Sequence, residues 1–277
     1  MNRRQFTSLA ATAAAALASS SSAQQPGKSS PTDADVDASM KSIMAPGAHK
    51  QIAMLLYPGM YPLDLVGPYT FLSGLMNADV YLVAKTLDPV GPAGKMRLLP
   101  TTTFADCPRD LEVLFVPGGM PGTIGAMQDS ATLEFLADRG SRARFVTSVC
   151  TGSLILGAAG LLNGYRATSH WDTRDILPTL GAIPVNQRIV EDRNRITGGG
   201  VTSGIDFGLL LAQRLSDSTY ARMLQLINEY DPQPPFQAGT PAQAGPVLTA
   251  HLTTLLAASH QAAAAAAESA RQRLKLS

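Results

Sequence analysis

The residue whose type and setting could do chemistry is Cys150, in the run Phe145-Val146-Thr147-Ser148-Val149-Cys150-Thr151-Gly152-Ser153. A β-branched run that ends in cysteine and passes at once into small residues predicts a strand, a sharp turn and a helix, with the thiol at the corner. Positions two residues to either side of such a corner must be small, and they are Ser148 and Gly152. There the thiol would meet backbone N–H groups and the positive end of a helix dipole, which favour thiolate. The chemistry implied is attack by sulfur on an electrophilic carbon. The same residues also suit a packed cysteine at a small-residue junction, so the rest of the chain has to decide.

Other candidates sit at predicted strand ends. Asp64 follows the apolar run 51–57 and precedes the spacing Leu65, Tyr69, Leu72 that reads as a helix. It is either the helix N-cap or an acid on the carboxyl edge of a sheet, where α/β proteins bind ligands. Gly118 and Gly119 follow the buried strand 111–116 and would either make a tight turn or offer N–H groups to a ligand. His170 precedes the only tryptophan, Trp171, and reads as a base for Cys150 or as a packed histidine lining a pocket. Cys107 lies in a loop with neither helix start nor base beside it, and reads as structural or incidental.

The elements that must position these residues alternate. Strands at 51–57, 79–84, 111–116 and 145–149 are separated by glycine-rich or acidic loops and helical stretches, the pattern of parallel βαβ units in a doubly wound sheet. Pro100 makes 98–103 an edge piece, and Pro184-Val185 and 188–190 with 194–197 predict a hairpin around Glu191-Asp192-Arg193. Asp217 caps a last helix of the domain.

Within 277 residues, 45% are hydrophobic, enough for one sizeable core, and the net charge of +1 comes without a basic block. That leaves no electrostatic footprint for nucleic acid and points to a small, neutral partner. Two cysteines and four scattered histidines provide no disulfide framework and no metal-ligand spacing. Arg3-Arg4-Gln5-Phe6 before an alanine-rich run resembles a twin-arginine export signal over residues 1–23, which predicts a periplasmic or secreted protein. The run is too short for stable membrane insertion. Residues 24–48 read as a flexible linker, 49–240 as the α/β domain, and 241–277 as a peripheral alanine-rich tail helix with little to bury.

Several motifs resemble the ThiJ/PfpI branch of the class I glutamine-amidotransferase-like superfamily. They are Leu63-Asp64-Leu65-Val66-Gly67-Pro68, Phe104-Ala105-Asp106-Cys107-Pro108, Val116-Pro117-Gly118-Gly119, Thr147-Ser148-Val149-Cys150-Thr151-Gly152-Ser153, Arg166-Ala167-Thr168-Ser169-His170-Trp171 and Thr197-Gly198-Gly199-Gly200. The resemblance runs over roughly residues 50 to 240 and is greatest to isonitrile-hydrating members. It implies a flavodoxin-like, mostly parallel sheet between helices with an added edge hairpin, a homodimer, and a site of Cys150, Asp64 and Thr151. The implied reaction is hydration of a small isonitrile to an N-substituted formamide through a Cys150 thioimidate. Asp64 would start protonated as general acid, Gly118 and Gly119 would donate to developing negative charge, and no metal or cofactor is required. Protease-like members place histidine after the nucleophile, where this chain has Thr151, which argues against peptidase chemistry. A ligand-sensing domain and a redox or protein-repair cysteine protein are the alternatives.

Overall fold

A computed structural model describes residues 30–47, 49–91 and 96–276. The expected export signal, residues 1–23, lies outside the described residues. The first strand, β1 (Lys50–Leu55), is the hub of a seven-stranded sheet. Ile52, Ala53, Met54 and Leu55 are all inaccessible to solvent, as expected of a central parallel strand covered on both faces. Alternate residues enter opposite layers: Ile52 and Met54 join one apolar cluster, Ala53 and Leu55 the other.

Parallel to β1 run β2 (Ala78–Ala84) on one side and β4 (Val113–Val116) on the other. The sheet extends past β2 to β3 (Thr102–Thr103), and past β4 to β5 (Phe145–Val149) and β9 (Arg195–Gly198), all in parallel. The antiparallel edge strand β8 (Ile189–Asp192) pairs with β9 and completes the order β3-β2-β1-β4-β5-β9-β8. This is the expected flavodoxin-like, mostly parallel sheet with an edge hairpin. The hairpin is tighter than expected: β8 runs through Asp192, and the chain turns at Arg193, which has a positive φ of 54°. Pro184 belongs elsewhere, in β7 (Ile183–Pro184) beside β6 (Arg166–Ala167). Successive strands depart from β1 in opposite directions, so a switch point opens between the carboxyl ends of β1 and β4.

One layer holds α2 (Pro62–Leu72), α6 (Ser203–Leu215) and α7 (Ser218–Ile227); the other holds α3 (Gly122–Gln128), α4 (Ser130–Gly140) and α5 (Gly152–Ala158). Two expectations fail at the ends of the domain. The segment read as a flexible linker contains α1 (Asp33–Ile43), whose start is fixed by a reciprocal capping box between Thr32 and Asp35. It is tied to the domain by buried Ile43 and by Ser39 Oγ, which donates to Asp217 Oδ2 at 2.8 Å. The tail helix, α8 (Pro241–Leu274), is not peripheral along its length: Ala263, Ala266, Ala267 and Ala270 are buried in the second layer. Their spacing puts four methyl groups on one face, and small side chains let that backbone approach α3, α5 and the 3₁₀ helix Arg174–Leu180. No helix among the described residues is long and apolar enough to cross a membrane.

Candidate active site

Cys150 occupies the turn between β5 and α5 with φ +57°, the left-handed conformation that a side chain rarely adopts. Three bonds hold it there. Its N–H donates to Gly198 O at 2.9 Å, while its carbonyl accepts from Ser153 Oγ and Ser169 Oγ, each at 3.2 Å. Gly152 is obligatory, because a Cβ there would run into the carbonyl oxygens of Val116 and Pro117. Strain of this kind survives only where neighbours over-determine it.

Asp64 does not cap its helix. Tyr61 stands at the N-cap, and Asp64 is the third residue of α2, fully buried, with Oδ2 accepting from Gly118 N–H at 3.0 Å. Oδ1 has no hydrogen-bond partner among the described residues. The Cys150 thiol and this carboxyl group are close enough to shift each other's titration. Thr151 is buried beside it, its Oγ1 accepting from Gly119 N–H at 2.9 Å and lying 2.7 Å from Thr123 Oγ1. Thr151, next in the chain, favours the charged form of the Cys150 sulfur through its N–H and hydroxyl. The loops after β1, β4 and β5 thus bring Asp64, the two glycines, Cys150 and Thr151 together at the switch point.

The glycines play a different part from the one expected. Their N–H groups are committed to Asp64 and Thr151, so they fix the acid and the hydroxyl and do not stand free for an oxyanion. Gly118 must be glycine for packing, since a Cβ would lie 2.5 Å from Thr151 N and 2.8 Å from Cys150 Cβ. Gly119 adopts φ +130° against the backbone of Met60 and Tyr61.

The protonation states also reverse the expectation. Burial pushes Asp64 up to about 6, against the opposing pull of Gly118 N–H and the Cys150 thiol. Burial, and then the negative charge of Asp64, push the Cys150 thiol well above its ordinary range; donation from Thr151 offsets only part of this. The N–H groups at the start of a seven-residue helix do not outweigh desolvation plus a carboxylate in contact. At neutral pH the sulfur therefore keeps the proton and Asp64 carries the charge.

His170 and Trp171 do not join the site. After Ser169 the chain turns, with Thr173 N–H donating to His170 O at 3.0 Å, and His170 Nδ1 lies 3.4 Å from Asp172 N. Burial lowers the pKa of this half-buried imidazole. Trp171 lines a separate cavity of about 610 Å³ with Asp172, Arg174, His260 and Gln261. A larger cleft of about 780 Å³ opens on the carboxyl edge between β1, β2 and α3. Neither Asp64 nor Cys150 lines it, but Tyr57 does, and the Tyr57 hydroxyl donates to Pro117 O at 2.9 Å and lies 3.3 Å from Thr123 Oγ1.

Tyr57, Thr123 and Ser169 are the site-supporting residues that sequence reasoning missed. Tyr57 carried a positional signal, since it closes the first strand on the ligand-binding edge. Thr123 carried none.

The match to known proteins agrees with this geometry. Residues 50–214 fit the model of the DJ-1/PfpI family. The chain belongs to that family. Among DJ-1/PfpI relatives, an isonitrile hydratase of Pseudomonas putida is 54% identical over 191 residues, covering 69% of this chain and 83% of that protein. The crystal structure of a ThiJ/PfpI family protein from Pseudomonas syringae superposes with a TM-score of 0.80 at 50% identity, over 89% of this chain and 99% of that one. A DJ-1 superfamily protein from Salmonella typhimurium gives 0.60 at 25% identity, over 66% of this chain and 99% of the other.

Proposed function

We propose that this protein adds water to an isonitrile to give an N-substituted formamide, with Cys150 as nucleophile and Asp64 as the group that carries the proton. The observation that carries the reading is the buried pair itself: a carboxylate anchored by Gly118 N–H against the thiol of a strained elbow. The 54% identity to an isonitrile hydratase supports the substrate class.

The isonitrile carbon of R–N≡C needs a nucleophile and a proton. Asp64 takes the thiol proton as sulfur attacks that carbon, then delivers the proton to the same carbon, forming the thioimidate Cys–S–CH=N–R. Asp64, again a carboxylate, removes a proton from water as its oxygen adds to this carbon and passes that proton to nitrogen, giving Cys–S–CH(OH)–NH–R. Collapse expels sulfur as Asp64 carries the hydroxyl proton to it, and releases HC(=O)–NH–R. The sum is one isonitrile plus one water. A raised Asp64 pKa suits this double duty, because an acid near neutrality both accepts and returns a proton readily. The Thr151 hydroxyl and N–H favour charge on the sulfur and stabilise it through the attack and the expulsion.

Incubation with cyclohexyl isocyanide should yield the formamide. No product from the wild type, or equal product from Cys150→Ala, refutes the reading. Two subsidiary inferences accompany it. The twin arginine at Arg3-Arg4 supports export. Exposed Leu248, Leu252 and Leu255, at helical spacing on α8, support the homodimer that the resemblance implies.

A further inference from the structure

Thr123 lies 27 positions before Cys150, in the first turn of α3, yet it is wholly buried and its hydroxyl is 2.7 Å from that of Thr151. Its placement is built from backbone contact. Gly122 packs so closely on Pro58 and Gly59 that a Cβ would collide with their backbone atoms, and Thr123 N–H donates to Gly119 O at 2.8 Å. The start of α3 is thereby seated against the loop after β1, and Thr123 is turned toward Thr151.

A count of protons gives this contact a direction. A threonine hydroxyl has one hydrogen and two acceptor positions. One acceptor position of Thr151 Oγ1 is filled by Gly119 N–H at 2.9 Å. The Tyr57 hydrogen goes to Pro117 O at 2.9 Å, leaving Tyr57 only a long, 3.3 Å contact to Thr123. If Thr123 donated to Tyr57, Thr151 would have to donate to Thr123 across the 2.7 Å contact, and no Thr151 hydroxyl hydrogen would remain for the neighbouring sulfur of Cys150. That arrangement exchanges a contact to a sulfur that gains charge for a bond at the outer limit of hydroxyl geometry. In the opposite direction Thr123 fills the second acceptor position of Thr151, and the one remaining hydrogen of Thr151 is left for sulfur.

We propose that Thr123 is a positioning residue for Cys150: its hydroxyl donates to Thr151 Oγ1 and so commits the Thr151 hydrogen to the sulfur. The inference rests on Cys150 being the nucleophile, though not on which electrophile it attacks. When the thiol proton passes to Asp64, the sulfur finds a donor already oriented, with both acceptor sites of that donor occupied. Without Thr123 a buried acceptor position is left empty and the Thr151 hydroxyl is free to rotate away.

The test is the rate of Cys150 carbamidomethylation by iodoacetamide, read by peptide mass spectrometry across pH 6 to 10, for wild type, Thr123→Val and Thr123→Ser. One hydrogen bond of ordinary strength corresponds to about fivefold in rate, so Thr123→Val should react about five times more slowly at fixed pH. Its pH profile should be displaced upward. Thr123→Ser, which keeps the donor, should return to within about twofold of wild type, since the same bond is restored. Isonitrile turnover by Thr123→Val should show a lower kcat with KM unchanged. Circular dichroism melting selects folded samples, and should the valine variant not fold, Thr123→Ala takes its place. Wild-type rate and pH profile in a folded variant lacking the hydroxyl overturn the proposal, as does failure of the serine variant to recover. Slower alkylation of Thr123→Val in a protein that hydrates no isonitrile would uphold the positioning role and refute the hydration reading separately.

Discussion

Replacing Asp64 by asparagine should remove activity and stabilise the protein above pH 6. Asp64 is fully buried, and its pKa of about 6 compares with an ordinary value of 3.8. The native state therefore holds this proton more tightly than the unfolded chain does. Between those two values the native state is protonated and the unfolded state is not, so stability falls as pH rises through the window and levels off above it. A shift of about two units corresponds to roughly 3 kcal/mol. Asparagine keeps an oxygen for Gly118 N–H and carries no charge to desolvate. The variant should thus match the wild type near pH 4 and gain up to roughly 3 kcal/mol over it by pH 7, less whatever its amide hydrogens lack in partners. Urea unfolding of both proteins at half-unit steps from pH 4 to 8 measures this. The ion pairs elsewhere, such as Arg142 with Asp138 and Arg214 with Glu191, contribute equally to both and cancel in the difference. A stability difference that stays flat across that range, or an Asp64→Asn protein that still forms the formamide, would refute the placement of a raised, working carboxyl group at this position.

Two further changes test the frame around the site. Gly118→Ala puts a methyl group 2.5 Å from Thr151 N and 2.8 Å from Cys150 Cβ, and should lower stability by roughly 1–3 kcal/mol in thermal melts and cut turnover at least tenfold. A melting point equal to the wild type's would contradict the close approach of the two loops. Ala267→Leu adds three carbons to a face with no exposure and should cost roughly 1–3 kcal/mol, whereas the same change at exposed Ala250 should cost almost nothing. Equal effects at the two positions would mean that α8 does not pack as described.

The elbow was legible in the sequence because its requirements are local. A β-branched run supplies the strand, and a small residue two positions after Cys150 is needed where the backbones of β4 and α5 touch. The parallel sheet was equally legible, since strands buried on both faces read as continuous apolar runs. The role of α1 was readable in principle from the Thr32–Asp35 capping pair. The contact face of α8 was not: residues 262–267 are all alanine, so no periodicity marks which side is buried. The state of the site belonged to the tertiary structure alone. Asp64 became a buried acid and not a cap because Gly118, 54 positions away, supplies its hydrogen bond; the glycine N–H groups were taken up in the same way, Gly119 by a threonine 32 positions further on. A sequence records which residue types stand near a turn, whereas the location of a proton depends on how much water is excluded and which charge lies opposite. Those are set only when distant loops close on one another.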